Sequence, residues 1–130
     1  MSVGESSTPL GRVRGTGSAH HGGGHWLRER MTSAALLLLG MWLVASLLLL
    51  PDLQRGTIGE WLGSPSGAVP MILFVVAAFV HGIDGLKVVI DDYVHDEANR
   101  LILTGLLNLA GIGAAALSLF SIAKIAFGAE

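Results

Sequence analysis

The sequence predicts an all-α integral membrane protein with three transmembrane helices. Its 130 residues are 52% hydrophobic and 14% charged, whereas about 25% of the residues in a typical soluble domain are charged. The mean hydropathy is +0.63. Crossing a bilayer takes roughly 20 predominantly apolar residues, and three segments are long enough: residues 31–50, 69–90 and 101–127. These spans leave too little chain for a separate soluble catalytic domain.

The three spans differ in how they begin and end. The first contains no charged residue and stops at Pro51. The connection that follows is rich in Gly, Pro and Ser, which is typical of turns. We expect the second helix to begin near Pro70, because proline is tolerated in the first turn of a helix. The third span contains small residues that allow membrane helices to approach closely, among them Gly105, Gly111 and Gly113.

The basic residues next to the first span predict the orientation in the membrane. Arg28 and Arg30 directly precede this span, whereas the loop after it contains a single basic residue. Lys and Arg concentrate on the cytoplasmic side of a membrane. We therefore expect residues 1–30 to form a cytoplasmic N-terminal tail and residues 31–130 to form a three-helix membrane anchor.

Residue types also exclude several classes of site and partner. The chain has no cysteine, so it holds no thiolate-bound iron–sulfur cluster, no cysteine nucleophile and no disulfide. Its net charge of −2 argues against a nucleic-acid partner. His20, His21 and His25 lie in a glycine-rich tract without nearby cysteines or clustered carboxylates. We expect these histidines to contact a partner protein rather than to bind a metal.

One histidine, His81, lies inside the second span. At about 1.5 Å per residue it is roughly 13 Å from the cytoplasmic end, near the middle of the bilayer. A polar group without a partner at that depth costs several kcal/mol. Gly85 and Asp92 share its stripe of the helix, and the glycine leaves room beside the imidazole for a flat macrocycle.

Two explanations for His81 therefore remain open. It is either an axial ligand of a b-type haem or a hydrogen-bonding residue that holds a neighbouring helix. No second histidine lies within any of the three spans. A haem with two histidine ligands would therefore need its other ligand from a different subunit.

Three further polar residues follow His81 along the second span. Asp84 and Lys87 are close enough along the helix to form a salt bridge or a proton relay. We favour the alternative in which the Lys87 side chain extends toward the membrane surface. Tyr93 lies at the predicted membrane boundary, where a phenol either belongs to the interfacial aromatic belt or donates a hydrogen bond to a ligand.

Together these residues resemble a known family. The second span carries H-x-x-x-G-x-x-x-x-x-x-D-Y from His81 to Tyr93, and the sequences GxGSA, HW and R-x-T lead into the first span. This combination resembles the hydrophobic membrane anchor subunit of succinate dehydrogenase, respiratory complex II, in its alphaproteobacterial form. The resemblance extends from Arg14 to the C-terminus. The chain departs from the family pattern at Asp84 and Lys87.

The resemblance implies a haem-containing bundle, formed by the three helices and the helices of a partner subunit. His81 would be one axial ligand of the iron of haem b, and the cytochrome b556 companion subunit would supply the other. Arg30 would lie near the haem propionates. Tyr93 would donate a hydrogen bond to a carbonyl of ubiquinone, the substrate. Asp92, the second aspartate of a doubled pair, would help to order the ubiquinone site.

The resemblance also implies partners and a location. The chain would be a non-catalytic, multi-pass subunit of succinate:ubiquinone oxidoreductase in the bacterial inner membrane, with its N-terminus in the cytoplasm. A flavoprotein subunit and an iron–sulfur subunit would dock on the cytoplasmic face, and membrane lipid would surround the helices. A different hypothesis is a small transport or proton-relay subunit without haem, which would use His81, Asp84 and Lys87 as the relay.

Overall fold

A computed structural model describes residues 22–128, and all of its regular elements are helices. The elements in chain order are α1 (Gly22–Leu49), α2 (Arg55–Gly63), α3 (Pro65–Tyr93) and α4 (Glu97–Ala126). In this part of the chain, three helices are long and apolar enough to cross a membrane: Trp26–Leu49 within α1, all of α3 and all of α4. The predicted all-α membrane fold is confirmed. His20, His21 and the GxGSA sequence lie outside the described residues, as does the side chain of His25.

The helices extend beyond the predicted spans because polar residues continue them. α1 begins at Gly22, so residues 22–30 of the expected tail are helical. The residues just before the apolar stretch, Arg28 to Arg30, are good helix formers that carry no hydrophobic signal. α3 likewise runs to Tyr93, and α4 begins at Glu97. The connection between these two helices is therefore only residues 94–96.

The predicted start of the second transmembrane helix was wrong. α3 begins at Pro65, and Pro70 lies inside it. The hydroxyl of Ser64 caps the helix by accepting a hydrogen bond from the Gly67 amide, at 3.2 Å. Pro65 follows at a position where its missing N–H costs nothing. The cap and the first proline together place the start of α3 before Pro70.

A short helix, α2, occupies part of the connection that the sequence predicted as turns. The Asp52 carboxylate, just before it, accepts hydrogen bonds from the Thr57 hydroxyl at 2.5 Å and the Gln54 amide at 3.1 Å. These bonds, the Thr57 one foremost, lower the pKa of Asp52. Trp61 stacks on Trp42 of α1, with ring centroids 5.7 Å apart. α2 is thereby attached to the end of the transmembrane bundle.

α3 is the central helix of the bundle, since it contacts α1, α2 and α4. On one side Gly111 of α4 faces the Ile83 side chain so closely that a Cβ at this glycine would overlap it.

Few side chains are buried within the described residues of this single chain, and large apolar ones such as Leu48 and Leu49 are 79% and 85% exposed. An outward apolar surface of this kind is expected of helices that face lipid or other helices.

Gly67 provides a test of the corner between α2 and α3. A Cβ at this position would overlap the main-chain carbonyl of Trp61, which cannot move without distorting α2. We expect Gly67→Ala to destabilise the protein by about 1–3 kcal/mol through overpacking. Gly59→Ala is the matched control, since its Cβ meets open space and alanine favours a helix by up to about 1 kcal/mol. Thermal unfolding in detergent, followed by circular dichroism, should move in opposite directions for the two variants.

Candidate functional site

His81 lies where α3 contacts α1. Its ring is half-buried, and Nδ1 is 3.2 Å from the Thr32 hydroxyl oxygen on α1. Thr32 is the threonine of the R-x-T sequence, so this contact brings together two of the sequences that carried the resemblance. Thr32 lies near the N-terminal end of the apolar part of α1. On α3, Pro65–Tyr93, His81 lies near the middle of the helix, and its depth in the bilayer stays a prediction.

Asp84, one turn further along α3, is the buried charged residue of the described chain, with 5% of its surface exposed. Its Oδ2 forms an ion pair with Nε of Arg28 on α1, at 2.7 Å. Nζ of Lys87 lies 3.9 Å from Oδ1. Lys87 is therefore within ion-pair range of Asp84, contrary to the interpretation that we favoured. The principal partner of Asp84 is Arg28.

The two polar contacts hold α1 and α3 in a defined register. Arg28 and Thr32 are four residues apart and share one face of α1, and His81 and Asp84 share one face of α3. Increasing residue number on one helix pairs with decreasing number on the other, as in antiparallel neighbours. A carboxylate in an apolar region must be paired with a cation, so the ion pair sets the rotation of each helix about its axis.

Arg30 has different neighbours. Its guanidinium lies over the Trp26 ring, 4.9 Å from the centroid. At about 100° per residue, Arg30 is roughly 200° around α1 from Arg28, so it points away from the contact with α3. Arg28, not Arg30, is the arginine closest to the turn that carries His81. A contact between Arg30 and haem propionates stays a prediction.

Tyr93 and Asp92 lie at the other end of the polar stretch of α3. Tyr93 is the last residue of the helix and is 78% exposed, and Asp92 is exposed too. Within residues 22–128, Asp91 pairs with Arg100 at 4.0 Å, and Asp92 forms no ion pair. Tyr93 is about 18 Å along the axis from His81. The four predicted site residues therefore form no single cluster, and the ubiquinone role of Tyr93 and Asp92 stays a prediction.

The surroundings of His81 fit a residue that would ligate a haem iron. Nδ1 contacts Thr32, and within residues 22–128 Nε2 has no hydrogen-bond partner. A Cβ added at Gly82 or Gly85 would meet nothing within 4 Å, so the helix beside the imidazole is open. In the same residues no group of three or more His, Cys, Asp or Glu is arranged to hold a metal ion. In this part of the chain, Nε2 of His81 is thus a nitrogen without a hydrogen-bond partner beside an unobstructed helix flank.

Arg28 and Thr32 form contacts that the sequence did not predict. In the sequence, Arg28 indicates only the orientation in the membrane, and Thr32 belongs only to the R-x-T motif. A signal for the ion pair was present, because Asp84 lies in an apolar span and needs a cation. Arg28 and Thr32 also have the spacing that places two side chains on one helix face. The sequence did not indicate which face of α1 packs against α3.

Comparisons with known proteins cover nearly the whole chain. Residues 5–123 match the family described as succinate dehydrogenase/fumarate reductase transmembrane subunit. The succinate dehydrogenase hydrophobic membrane anchor subunit of Rickettsia conorii is 34% identical over 95 residues, which are 71% of this chain and 75% of that protein. The protein of the same name from Rickettsia bellii is 32% identical over 90 residues, 69% of this chain and 70% of that protein. The one from Paracoccus denitrificans is 28% identical over 124 residues, 94% of both chains.

The Arg28–Asp84 ion pair predicts a non-additive effect on stability. Arg28→Met leaves the buried Asp84 carboxylate with the more distant Lys87 alone. An unsatisfied buried acceptor costs about 1–3 kcal/mol, and we expect a loss of about 1 kcal/mol because the Arg28 side chain is 54% exposed and solvent weakens the pair.

The control is the double variant Arg28→Met with Asp84→Leu, which removes both charges. Replacing both members of a buried pair is often close to neutral, so the double variant should unfold at a higher temperature than Arg28→Met alone. Additive losses in a double-mutant cycle, measured by thermal unfolding in detergent, would contradict a direct interaction.

Proposed function

The chain belongs to the succinate dehydrogenase/fumarate reductase transmembrane subunit family, and we propose that it supplies one axial ligand of haem b and part of a ubiquinone site. As a membrane anchor subunit of this family it is non-catalytic by itself. The proposal rests on the surroundings of the two ring nitrogens of His81. One ring nitrogen is held by Thr32 at 3.2 Å, and the other is available beside an open helix flank at Gly85.

The haem part of the proposal rests on what His81 and its neighbours provide. Haem b, when bound, supplies a one-electron carrier. His81 would contribute an imidazole nitrogen from a ring that contacts Thr32, and Gly85 keeps the helix surface beside it free of side-chain atoms. Arg30, which lies over the Trp26 ring on the side of α1 away from α3, would pair with the carboxylates of the propionates. The second axial ligand would come from the cytochrome b556 companion subunit, because no second histidine lies within the three predicted spans.

The ubiquinone part of the proposal rests on the end of α3. The exposed phenol of Tyr93 can donate a hydrogen bond to a quinone carbonyl, and this bond becomes stronger as negative charge develops on the oxygen during reduction. Asp92 adds an exposed carboxylate that no cation in residues 22–128 neutralises. It can accept hydrogen bonds that order the site in the assembled complex.

The remaining redox centres would belong to other subunits. The chain has no cysteine to hold an iron–sulfur cluster, and electrons from succinate would reach it through the proposed flavoprotein subunit and then the proposed iron–sulfur subunit. The three apolar helices make it a multi-pass membrane protein. We place it in the bacterial inner membrane with a cytoplasmic N-terminus, where those two subunits can dock near Tyr93.

His81→Ala tests the haem ligand. In the purified complex we expect this variant to lose the low-spin spectrum of haem b, because removing one of two axial nitrogen ligands changes the spin state or releases the haem. His95→Ala is the matched control, since His95 is exposed in the connection between α3 and α4. An unchanged reduced-minus-oxidised spectrum in His81→Ala would exclude His81 as ligand. A complex without any Soret absorbance, together with pH-dependent conductance in liposomes, would instead favour the proton-relay hypothesis.

Tyr93→Phe tests the ubiquinone site. Loss of a hydrogen-bond donor to the reacting oxygen should lower succinate:quinone reductase activity about tenfold or more, whereas electron transfer from succinate to an artificial dye should be retained. We expect a smaller loss for Asp92→Asn. Asp91→Asn is the control, because Asp91 pairs with Arg100. Equal quinone reductase activity in Tyr93→Phe and the native complex would remove Tyr93 from the site.

A further inference from the structure

The contact between Thr32 and His81 determines which ring nitrogen can bind a metal. The Thr32 hydroxyl oxygen is 2.9 Å from the carbonyl oxygen of Arg28 and 3.1 Å from that of Glu29. It is also 3.2 Å from Nδ1 of His81. A hydroxyl has one hydrogen to donate and two lone pairs with which to accept. A carbonyl oxygen can only accept a hydrogen bond. The Thr32 hydroxyl therefore donates its hydrogen to these main-chain carbonyl oxygens.

The lone pairs of the hydroxyl are then directed to the histidine. With the Thr32 hydrogen donated to a carbonyl, Nδ1 would carry the hydrogen of this contact and donate it to the Thr32 hydroxyl oxygen, because two acceptors facing each other do not form a hydrogen bond. In a neutral imidazole only one nitrogen is protonated. Nε2 is therefore left with its lone pair free.

We propose that Thr32 is a positioning residue for haem b, which fixes His81 in the tautomer and ring orientation that present Nε2 to the iron. This inference rests on the proposed function, in which His81 is an axial ligand. Partners of this kind, which accept a hydrogen bond from the second nitrogen of a ligating histidine, orient the ring and raise its basicity. Thr32 would act on the iron only through His81.

Two structural features restrict the role to Thr32. Its neighbour Ser33 also donates to a main-chain carbonyl, that of Glu29 at 2.8 Å, but Ser33 is exposed on another face of α1. The ion pair of Arg28 with Asp84 keeps the face that carries Thr32 opposite His81. Thr32 and Ser33 thus both donate to main-chain carbonyls, but only the Thr32 hydroxyl contacts His81.

The test compares Thr32→Val, Thr32→Ser and Ser33→Ala in the purified complex. Valine keeps the shape of threonine but accepts no hydrogen bond, serine keeps the hydroxyl, and Ser33→Ala removes a hydroxyl that does not reach the histidine. For Thr32→Val we expect haem affinity to fall about 10–100-fold. We also expect a positive shift of the haem midpoint potential and changed g values in the electron paramagnetic resonance spectrum of the ferric haem. Thr32→Ser and Ser33→Ala should match the native complex.

Native haem affinity, potential and g values in Thr32→Val would overturn the inference. If that variant does not assemble, pulsed electron paramagnetic resonance of the native complex gives the answer, because the quadrupole coupling of the remote ring nitrogen reports its protonation and hydrogen bonding. A hydrogen-bonded N–H supports the role of Thr32, and a free or unprotonated nitrogen overturns it.

His81→Ala separates failure of this inference from failure of the proposed function. A haem spectrum that is insensitive to His81→Ala removes the ligand and, with it, any role for Thr32. A spectrum that responds to His81→Ala but not to Thr32→Val leaves the ligand in place and rejects Thr32 alone.

Discussion

The ion pair between Arg28 and Asp84 is the constraint on which the arrangement of the site depends. A carboxylate that is 5% exposed in an apolar bundle needs a cation at close range, since an unpaired charge there is strongly unfavourable. Arg28 meets this need at 2.7 Å from the adjacent helix, which fixes how α1 faces α3. One turn further on, the same two faces bring Thr32 to His81. Electrostatics at one level of the bundle thus orients an imidazole at the next.

The sequence was sufficient for the number and type of the spans but not for their ends. Apolar runs of about 20 residues have few structural alternatives in a membrane, and three helices of that kind are present in the described chain. The start of α1 at Gly22 could not be predicted, because the residues before Met31 are helical without being apolar. α2 was missed because it is short and contains glycines that indicate turns. The start of α3 depends on the cap formed by Ser64, a local hydrogen bond that the more conspicuous Pro70 obscured.

The candidate site was predictable in part for a similar reason. A histidine within an apolar span stands out, because a polar side chain there is energetically unfavourable without a partner. His81 could therefore be selected from the sequence alone, as could the motif that ends at Tyr93. Thr32 and Arg28 could not be assigned their partners, since both contacts join residues that are far apart in the chain. Such pairs depend on the rotation of one helix against another. Periodicity gives the faces of each helix, and only packing determines which faces meet.

The continuity of α3 has a mechanical consequence for the two proposed sites. His81 and Tyr93 belong to one uninterrupted helix, Pro65–Tyr93, and its proline residues precede His81. The distance between the imidazole and the phenol is therefore set by the rise of the main chain, about 1.5 Å per residue, rather than by how subunits dock. If the subunits of the assembly moved apart, haem or ubiquinone would be lost from its proposed site. The distance from His81 to Tyr93 would stay the same.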